Sequence, residues 1–163
     1  MDYSAVEIGA ENISALRSFL LEGPPAWEPL RSEMHTDEAA AGYMSLLYGA
    51  FCVAVRRRFT PFYTDGEIIR FVADLRITAG PDARLINTLA AEDMIRRVVG
   101  TPPLEDPALD DVESVLYAEV FILLYLVGEA NFDDADLDDF IQDAAICAKE
   151  WLAARHAESS TWA

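Results

Sequence analysis

Two long stretches of this sequence are apolar on every side of a helix, and they constrain the fold more than any other feature. Residues 39–55 contain no charged side chain, and residues 115–127 contain a single one, Glu119. A helix without a polar face must be enclosed, either by other helices or by a membrane. The stretch 39–55 is short for a membrane span and has a second apolar helix to pack against. We therefore interpret both as core helices and expect no membrane association.

Four further segments carry apolar residues on one side of a helix and charged residues on the other. Each is bounded by proline, glycine or a residue that caps helix ends. The predicted capping residues of these segments are Asn12, Thr64 and either Asp133 or Asp134, and Thr36 is predicted to cap the first of the two apolar helices. No alternation of strand type occurs in the chain. The sequence therefore predicts an all-α, bundle-like fold of about six helices, in which two apolar central helices are wrapped by four amphipathic ones.

Periodicity also predicts which side of the outer helices faces the core. The apolar positions of the third helix are Ile68, Phe71, Val72 and Leu75, and those of the fourth are Ala91, Met94, Ile95 and Val98. The charged residues of the fourth helix are expected to face solvent, and these are Glu92, Asp93, Arg96 and Arg97.

Length and composition fit one domain. A chain of 163 residues with 52% hydrophobic residues can bury enough apolar surface to fold. We predict a single helical domain over residues 1–163, with 1–11 and 157–163 frayed. Cys52 and Cys147 lie within apolar helical patterns, which is typical of buried thiols in a reducing compartment. Because residues 1–10 also lack the pattern of a signal peptide, we expect a cytoplasmic protein.

Acidic residues dominate the chain, but they are unevenly distributed. Twelve basic and 29 acidic residues give a formal net charge of −17. Residues 56–97 hold eight arginines against six acidic residues, a balance of +2, whereas residues 98–163 hold two basic and fifteen acidic residues, a balance of −13. The overall field repels phosphate backbones, so nucleic acid is not the expected partner. A protein partner, including a second copy of the chain, is favoured instead.

Side chains that carry out catalysis are scarce. His35 and His156 do not form the Glu-x-x-His or His-x-x-x-His spacing that binds metals on a helix. The sequence contains no glycine-rich phosphate loop and no nucleophile elbow. We therefore lean against an enzyme and expect no cofactor and no catalytic residue.

An acidic tract at the start of the last helix leaves one metal hypothesis. Asp134, Asp136 and Asp138 alternate, as the first ligands of a calcium loop do. The positions at which such a loop needs glycine and glutamate are occupied by Asp139 and Ala145. We favour a helix start whose acidic residues match the helix dipole. The alternative is a small metal-dependent enzyme that uses the aspartates of 133–139.

The arginines of the central segment are the main candidates for binding. Arg56, Arg57 and Arg58 form the last turn of the first apolar helix, and Arg70 lies on the helix that follows. This helix–turn–helix pattern over residues 56–78 supports an alternative function, a DNA-associated transcriptional regulator. Three acidic residues on the second of these helices would face phosphates, so acidic groups of a protein are the favoured partners.

Glu119 is the remaining candidate, because it interrupts an otherwise apolar helix. A buried carboxylate needs a partner or takes up a proton. Glu119 is therefore a binding residue, one half of a structural ion pair, or the mark of the one solvated stripe of the helix. We favour the ion pair, with the arginines of 56–58 as its source of positive charge.

Several parts of the sequence resemble a group of bacterial proteins. The runs 48–59, 64–76 and 94–97 and the acidic opening of the last helix look like those of small acidic helical proteins of actinobacteria, whose function is unassigned. The resemblance covers residues 40–155. It implies an all-α fold and a bacterial cytoplasm, and it carries over no activity and no catalytic residue.

The scarcity of catalytic motifs and the segregated charge favour the same function. We expect a non-enzymatic interaction or regulatory module that binds a protein partner and self-associates as a homodimer. Acidic ends and an arginine-bearing middle allow two copies to dock through opposite charges.

Overall fold

The computed structural model describes residues 6–28, 37–100 and 112–161, and these ranges are almost entirely helical. Within them 87% of the residues are in helices and none are in strands. The α-helices are α1 (Ala10–Glu22), α2 (Asp37–Phe59), α3 (Asp65–Ala79), α4 (Thr88–Val99), α5 (Val112–Ala130) and α6 (Asp134–Thr161). Short 3-10 helices cover Pro24–Trp27 and Gly80–Leu85. The predicted all-α, bundle-like fold is confirmed.

The chain divides into two compact units. The first, here called the terminal unit, combines Met1–Val53 with Phe132–Ala163, and the second, the central unit, is Ala54–Asn131. The division falls within α2. The single domain over residues 1–163 stays a prediction.

Close approach of α2 and α6 organises the terminal unit. A Cβ atom added to Gly49 would collide with the carbonyl oxygen of Ala144 and lie 3.0 Å from the Cβ of Ala148. One turn of small residues on each helix therefore sets the distance between them. Tyr48, beside the glycine, reaches Trp151 on α6 with ring centroids 5.7 Å apart.

α2 is enclosed along most of its length. Leu47, Ala50, Phe51 and Val55 have no exposed surface. By length and composition alone this helix is apolar enough to cross a membrane, and 67% of its most apolar window is buried inside the protein. This burial supports the interpretation of α2 as a core helix.

Aromatic packing joins the helices of the central unit. Phe59 at the end of α2 meets Phe71 of α3 edge-on at 5.3 Å, and Phe71 meets Tyr125 of α5 at 5.5 Å. α3 begins at the capping box predicted from the sequence. The Thr64 hydroxyl accepts the backbone N–H of Glu67 at 3.2 Å, and the Glu67 carboxylate accepts the backbone N–H of Thr64 at 2.7 Å.

α1 starts earlier than the sequence predicts and has a different N-cap residue. The helix begins at Ala10 with Gly9 as its N-cap, and Asn12 lies within the first turn. The Asn12 side chain accepts a hydrogen bond from the backbone N–H of Gly9 at 2.8 Å. Asn12 therefore stabilises the helix end from inside the helix, and its assignment as the N-cap is wrong. α1 also includes two residues of the 1–11 segment that was predicted to fray.

α6 begins where the sequence predicts and extends beyond its predicted end. Asp133 caps the helix, because its carboxylate accepts the backbone N–H of Asp136 at 2.9 Å. α6 continues to Thr161, although residues 157–163 were predicted to fray. The predicted cap Thr36 lies outside the described residues.

Candidate interaction surface

The five predicted binding residues lie in two different environments. Arg56, Arg57, Arg58 and Arg70 are exposed, whereas Glu119 is buried, with 7% of its surface exposed. All five belong to the central unit. They do not form one exposed site, so the arginine-bearing surface and the buried carboxylate have separate roles.

The exposed arginines of α2 lie where the helix ends. Arg58 lies over the ring of Phe59, with its guanidinium carbon 5.2 Å from the ring centroid. The Thr60 hydroxyl donates to the carbonyl oxygen of Arg56 at 2.6 Å and satisfies one of the last acceptors of the helix. Positive charge at this position also matches the negative end of the helix dipole. The end of α2 therefore favours positive charge at these exposed positions.

α3 carries apolar residues on its outer side as well as its inner side. Ile68, Phe71, Val72 and Leu75 are buried as predicted. Ile69 is 49% exposed and Ile77 is 77% exposed, and Ala73 between them is also exposed. These three residues are four positions apart and therefore share one face of the helix. We call them the α3 stripe.

Charged residues border the α3 stripe on one side. Arg70 and Asp74 are each one position beyond a member of the stripe, and both are exposed. Within the described ranges neither forms a salt bridge. The stripe is therefore flanked by one positive and one negative group.

Exposed apolar side chains are concentrated in the central unit. Phe62, in the segment that joins α2 to α3, is 91% exposed. Of the large apolar residues that are more than one third exposed in the described ranges, five belong to the central unit and two to the terminal unit. They are Phe62, Ile69, Ile77, Leu89 and Val112 in the former and Leu21 and Ile146 in the latter. Among these residues, Ile69 and Ile77 share one face of a single helix.

A buried ionic cluster was missed by the sequence interpretation. Arg96 is 1% exposed, and its Nη1 lies 3.4 Å from Oε2 of Glu92 and 3.5 Å from Oδ1 of Asp93. Its Nε lies 3.4 Å from Oδ1 of Asp65, in the first turn of α3. The prediction that Glu92, Asp93 and Arg96 face solvent is therefore wrong.

The cause of this burial is the enclosure of the middle of α4 on all sides. All six residues from 91 to 96 are buried. A buried guanidinium needs carboxylate partners, and acids three and four positions earlier on the same helix supply them. The spacing of Glu92 and Asp93 before Arg96 is the sequence pattern that could have predicted these ion pairs. The cluster joins α4 to the start of α3 and so fixes the helix that carries the α3 stripe.

The second helix of the proposed DNA-binding segment does not present all of its arginines. Arg76 is held by the protein, since its Nε donates to the carbonyl oxygen of Ala83 at 3.3 Å and its Nη1 to the hydroxyl of Thr88 at 3.0 Å. The exposed residues of α3 include Glu67 and Asp74 as well as Arg70. This surface offers few contacts to phosphates.

Glu119 lacks the arginine partner expected from the sequence. Its Oε1 has no hydrogen-bond partner in the described part of the chain. Burial raises the pKa of this carboxyl from 4.5 to about 8, and no cation of the described residues offsets the effect. The prediction of a structural ion pair with the arginines of 56–58 is therefore wrong, and the structure places Glu119 as a buried acid.

Two aspartates of α6 form an ion pair with an arginine of α1. Arg17 of α1 donates to Asp134 at 3.0 Å and also to Asp138. Asp133 caps the helix, as described above. Among the described residues, no group of three or more His, Cys, Asp or Glu side chains is placed to hold a metal ion. Two of the alternating aspartates, Asp134 and Asp138, thus share an ion pair with Arg17.

Comparison of the chain with protein-family models, curated proteins and solved structures finds no match. The resemblance to actinobacterial helical proteins stays an expectation. A functional conclusion has to rest on the residues of this chain.

Proposed function

We propose that this protein is a non-enzymatic interaction module that self-associates through the α3 stripe. The observation that carries the proposal is the exposure of Ile69 and Ile77 on a helix whose opposite side is already buried. Apolar residues four positions apart form the pattern with which one helix packs against another. A second copy of the chain supplies a helix with the same pattern.

The α3 stripe is complementary to itself in shape. If two copies of α3 pack antiparallel about a two-fold axis at Ala73, Ile69 of one copy meets Ile77 of the other. The small side chain of Ala73 at the axis allows the two helices to approach closely. This arrangement is the self-complementary contact of a two-fold dimer.

The flanking charges supply both attraction and repulsion in the same arrangement. Arg70 and Asp74 lie on the same border of the stripe. With the axis at Ala73, Asp74 of one copy lies near both Arg70 and Asp74 of the other. These charges contribute to orientation and partner choice more than to affinity.

The proposed dimer is weak. α3 has 15 residues, and a contact between two such helices buries less than the roughly 1,200–2,000 Å² of a stable interface. Two chains of net charge −17 also repel each other. Because salt screens this repulsion and leaves apolar contacts intact, association strengthens as ionic strength rises.

Light scattering after size-exclusion chromatography, at high micromolar concentrations in low and high salt, tests the proposal. A monomer–dimer equilibrium that shifts towards dimer in high salt is expected. Ile77→Asp should abolish the dimer, because two buried aspartates would replace two isoleucines. Ile146→Asp is the matched control, since Ile146 is 56% exposed on α6 of the terminal unit and outside the stripe. A monomer in both salts, or a dimer unaffected by Ile77→Asp, would refute self-association through α3.

A further inference from the structure

The terminal unit contains a cleft that the proposed dimer does not use. Residues 6–8, which lie shortly before α1, form one wall, and α6 forms the other. The described lining includes Val6, Glu7 and Ile8 on the first wall and Lys149, Leu152 and His156 on the second. The cleft has a volume of about 580 Å³, which is within the range of small-molecule sites.

The floor of the cleft is apolar and its rim is charged. Leu152 and Val6 are 6% and 8% exposed, whereas Glu7 and Lys149 are exposed. Lys149, Leu152 and His156 are three and four positions apart along α6, so the helix presents all three on one face. A ligand in the cleft therefore meets an apolar surface below and charged groups at the edge.

The rim carries unlike charges that do not pair with each other. Lys149 is the single lysine of the chain. In the part of the chain that the structure describes, the side chains of Lys149 and Glu7 form neither a hydrogen bond nor a salt bridge. Their charged atoms are thus farther apart than a direct ion pair. Both charges line the cleft and are available to a ligand that has a charge of each sign.

We propose that this cleft binds a small zwitterion with an apolar side chain, of which an aliphatic amino acid is the simplest example. The ligand carboxylate accepts hydrogen bonds from the Lys149 ammonium, and the ligand ammonium donates to the Glu7 carboxylate. The aliphatic side chain covers Leu152 and Val6. A ligand of zero net charge also avoids the repulsion that a chain of net charge −17 exerts on free anions.

Titration calorimetry on the full chain with three probes tests which charges the cleft requires. Leucine carries both charges, 4-methylpentanoate lacks the ammonium group, and isopentylamine lacks the carboxylate. Leucine is expected to bind about tenfold more tightly than either analogue, because each analogue leaves one charged group of the rim unpaired. Equal affinities for leucine and one of the analogues, or no binding of leucine at millimolar concentrations, would overturn the proposal.

Two substitutions assign the two contacts. Lys149→Met should weaken leucine binding about tenfold and leave isopentylamine binding unchanged, and Glu7→Gln should weaken leucine binding and leave 4-methylpentanoate binding unchanged. Glu150→Gln is the matched control, since Glu150 is exposed on α6 and is not among the lining residues. An affinity for leucine that neither substitution changes would also overturn the proposal. Neither result bears on the α3 stripe, which belongs to the central unit.

Discussion

Replacing Glu119 with glutamine removes the one charged residue of the stretch 115–127 while keeping its shape. The carboxyl is 7% exposed, and its Oε1 has no hydrogen-bond partner among the described residues. Burial raises its pKa from 4.5 to about 8, because the charged form loses hydration without gaining a partner. At neutral pH the folded protein therefore holds Glu119 protonated, whereas the unfolded chain ionises it.

The pH dependence that follows has a definite sign. Because the folded-state pKa is raised, the stability from the bound proton is fully present below pH 4.5 and is lost as the pH rises through about 8. One pKa unit corresponds to about 1.4 kcal/mol, so the whole shift corresponds to roughly 5 kcal/mol. Between the two values the free energy of unfolding falls by about 1.4 kcal/mol per pH unit. Glutamine does not titrate, so Glu119→Gln should remove this slope.

Urea unfolding followed by circular dichroism, at several pH values between about 5.5 and 8.5, measures the slope. This range lies above the isoelectric point of about 4.2, where the chain is least soluble. Glu119→Gln should gain stability relative to wild type as the pH rises. Glu113→Gln, at an exposed position in the first turn of α5, is the matched control and should keep the wild-type profile.

Two results would refute this account of Glu119. Parallel pH profiles of wild type and Glu119→Gln would mean that the carboxyl does not change its proton affinity on folding. A variant that is less stable than wild type by about 3–5 kcal/mol at pH 8 would indicate a buried ion pair instead.

Three further predictions concern packing and charge pairs, and thermal and urea unfolding measure all of them. Gly49→Ala should lower the free energy of unfolding by about 1–3 kcal/mol, because the new Cβ collides with α6. Gly128→Ala is the control at an open position of α5. It should raise the free energy of unfolding by about 0.5–1 kcal/mol, because alanine is the better helix former. Equal effects of the two changes would contradict the close approach of α2 and α6. Arg96→Ala should cost about 3–5 kcal/mol, since two buried acids lose their partner, and a cost below 1 kcal/mol would show that the cluster is hydrated. Arg17→Ala should cost about 0–1 kcal/mol, because its aspartates are exposed, and a larger cost would mean that this pair orders the start of α6.

The local signals of the sequence determined the helices and several of their ends. The capping box at Thr64, the cap at Asp133 and the buried side of α3 follow from residue types at fixed short spacings, and the structure has all of them. The sequence also marks Glu119 as unusual, because it is the one charged residue of the stretch 115–127. These features depend on interactions within one or two turns of the same helix, which is why a single sequence contains them.

The tertiary structure decided which polar residues are enclosed and which apolar residues are left exposed. Periodicity places the charges of α4 on an outer face, but the residues 91–96 are covered on every side, and Arg96 is buried with its carboxylate partners. Ile69 and Ile77 are as apolar as the isoleucines of the core, yet no described helix covers them. Enclosure depends on how helices distant in sequence are arranged, and periodicity within one helix carries no information about that arrangement.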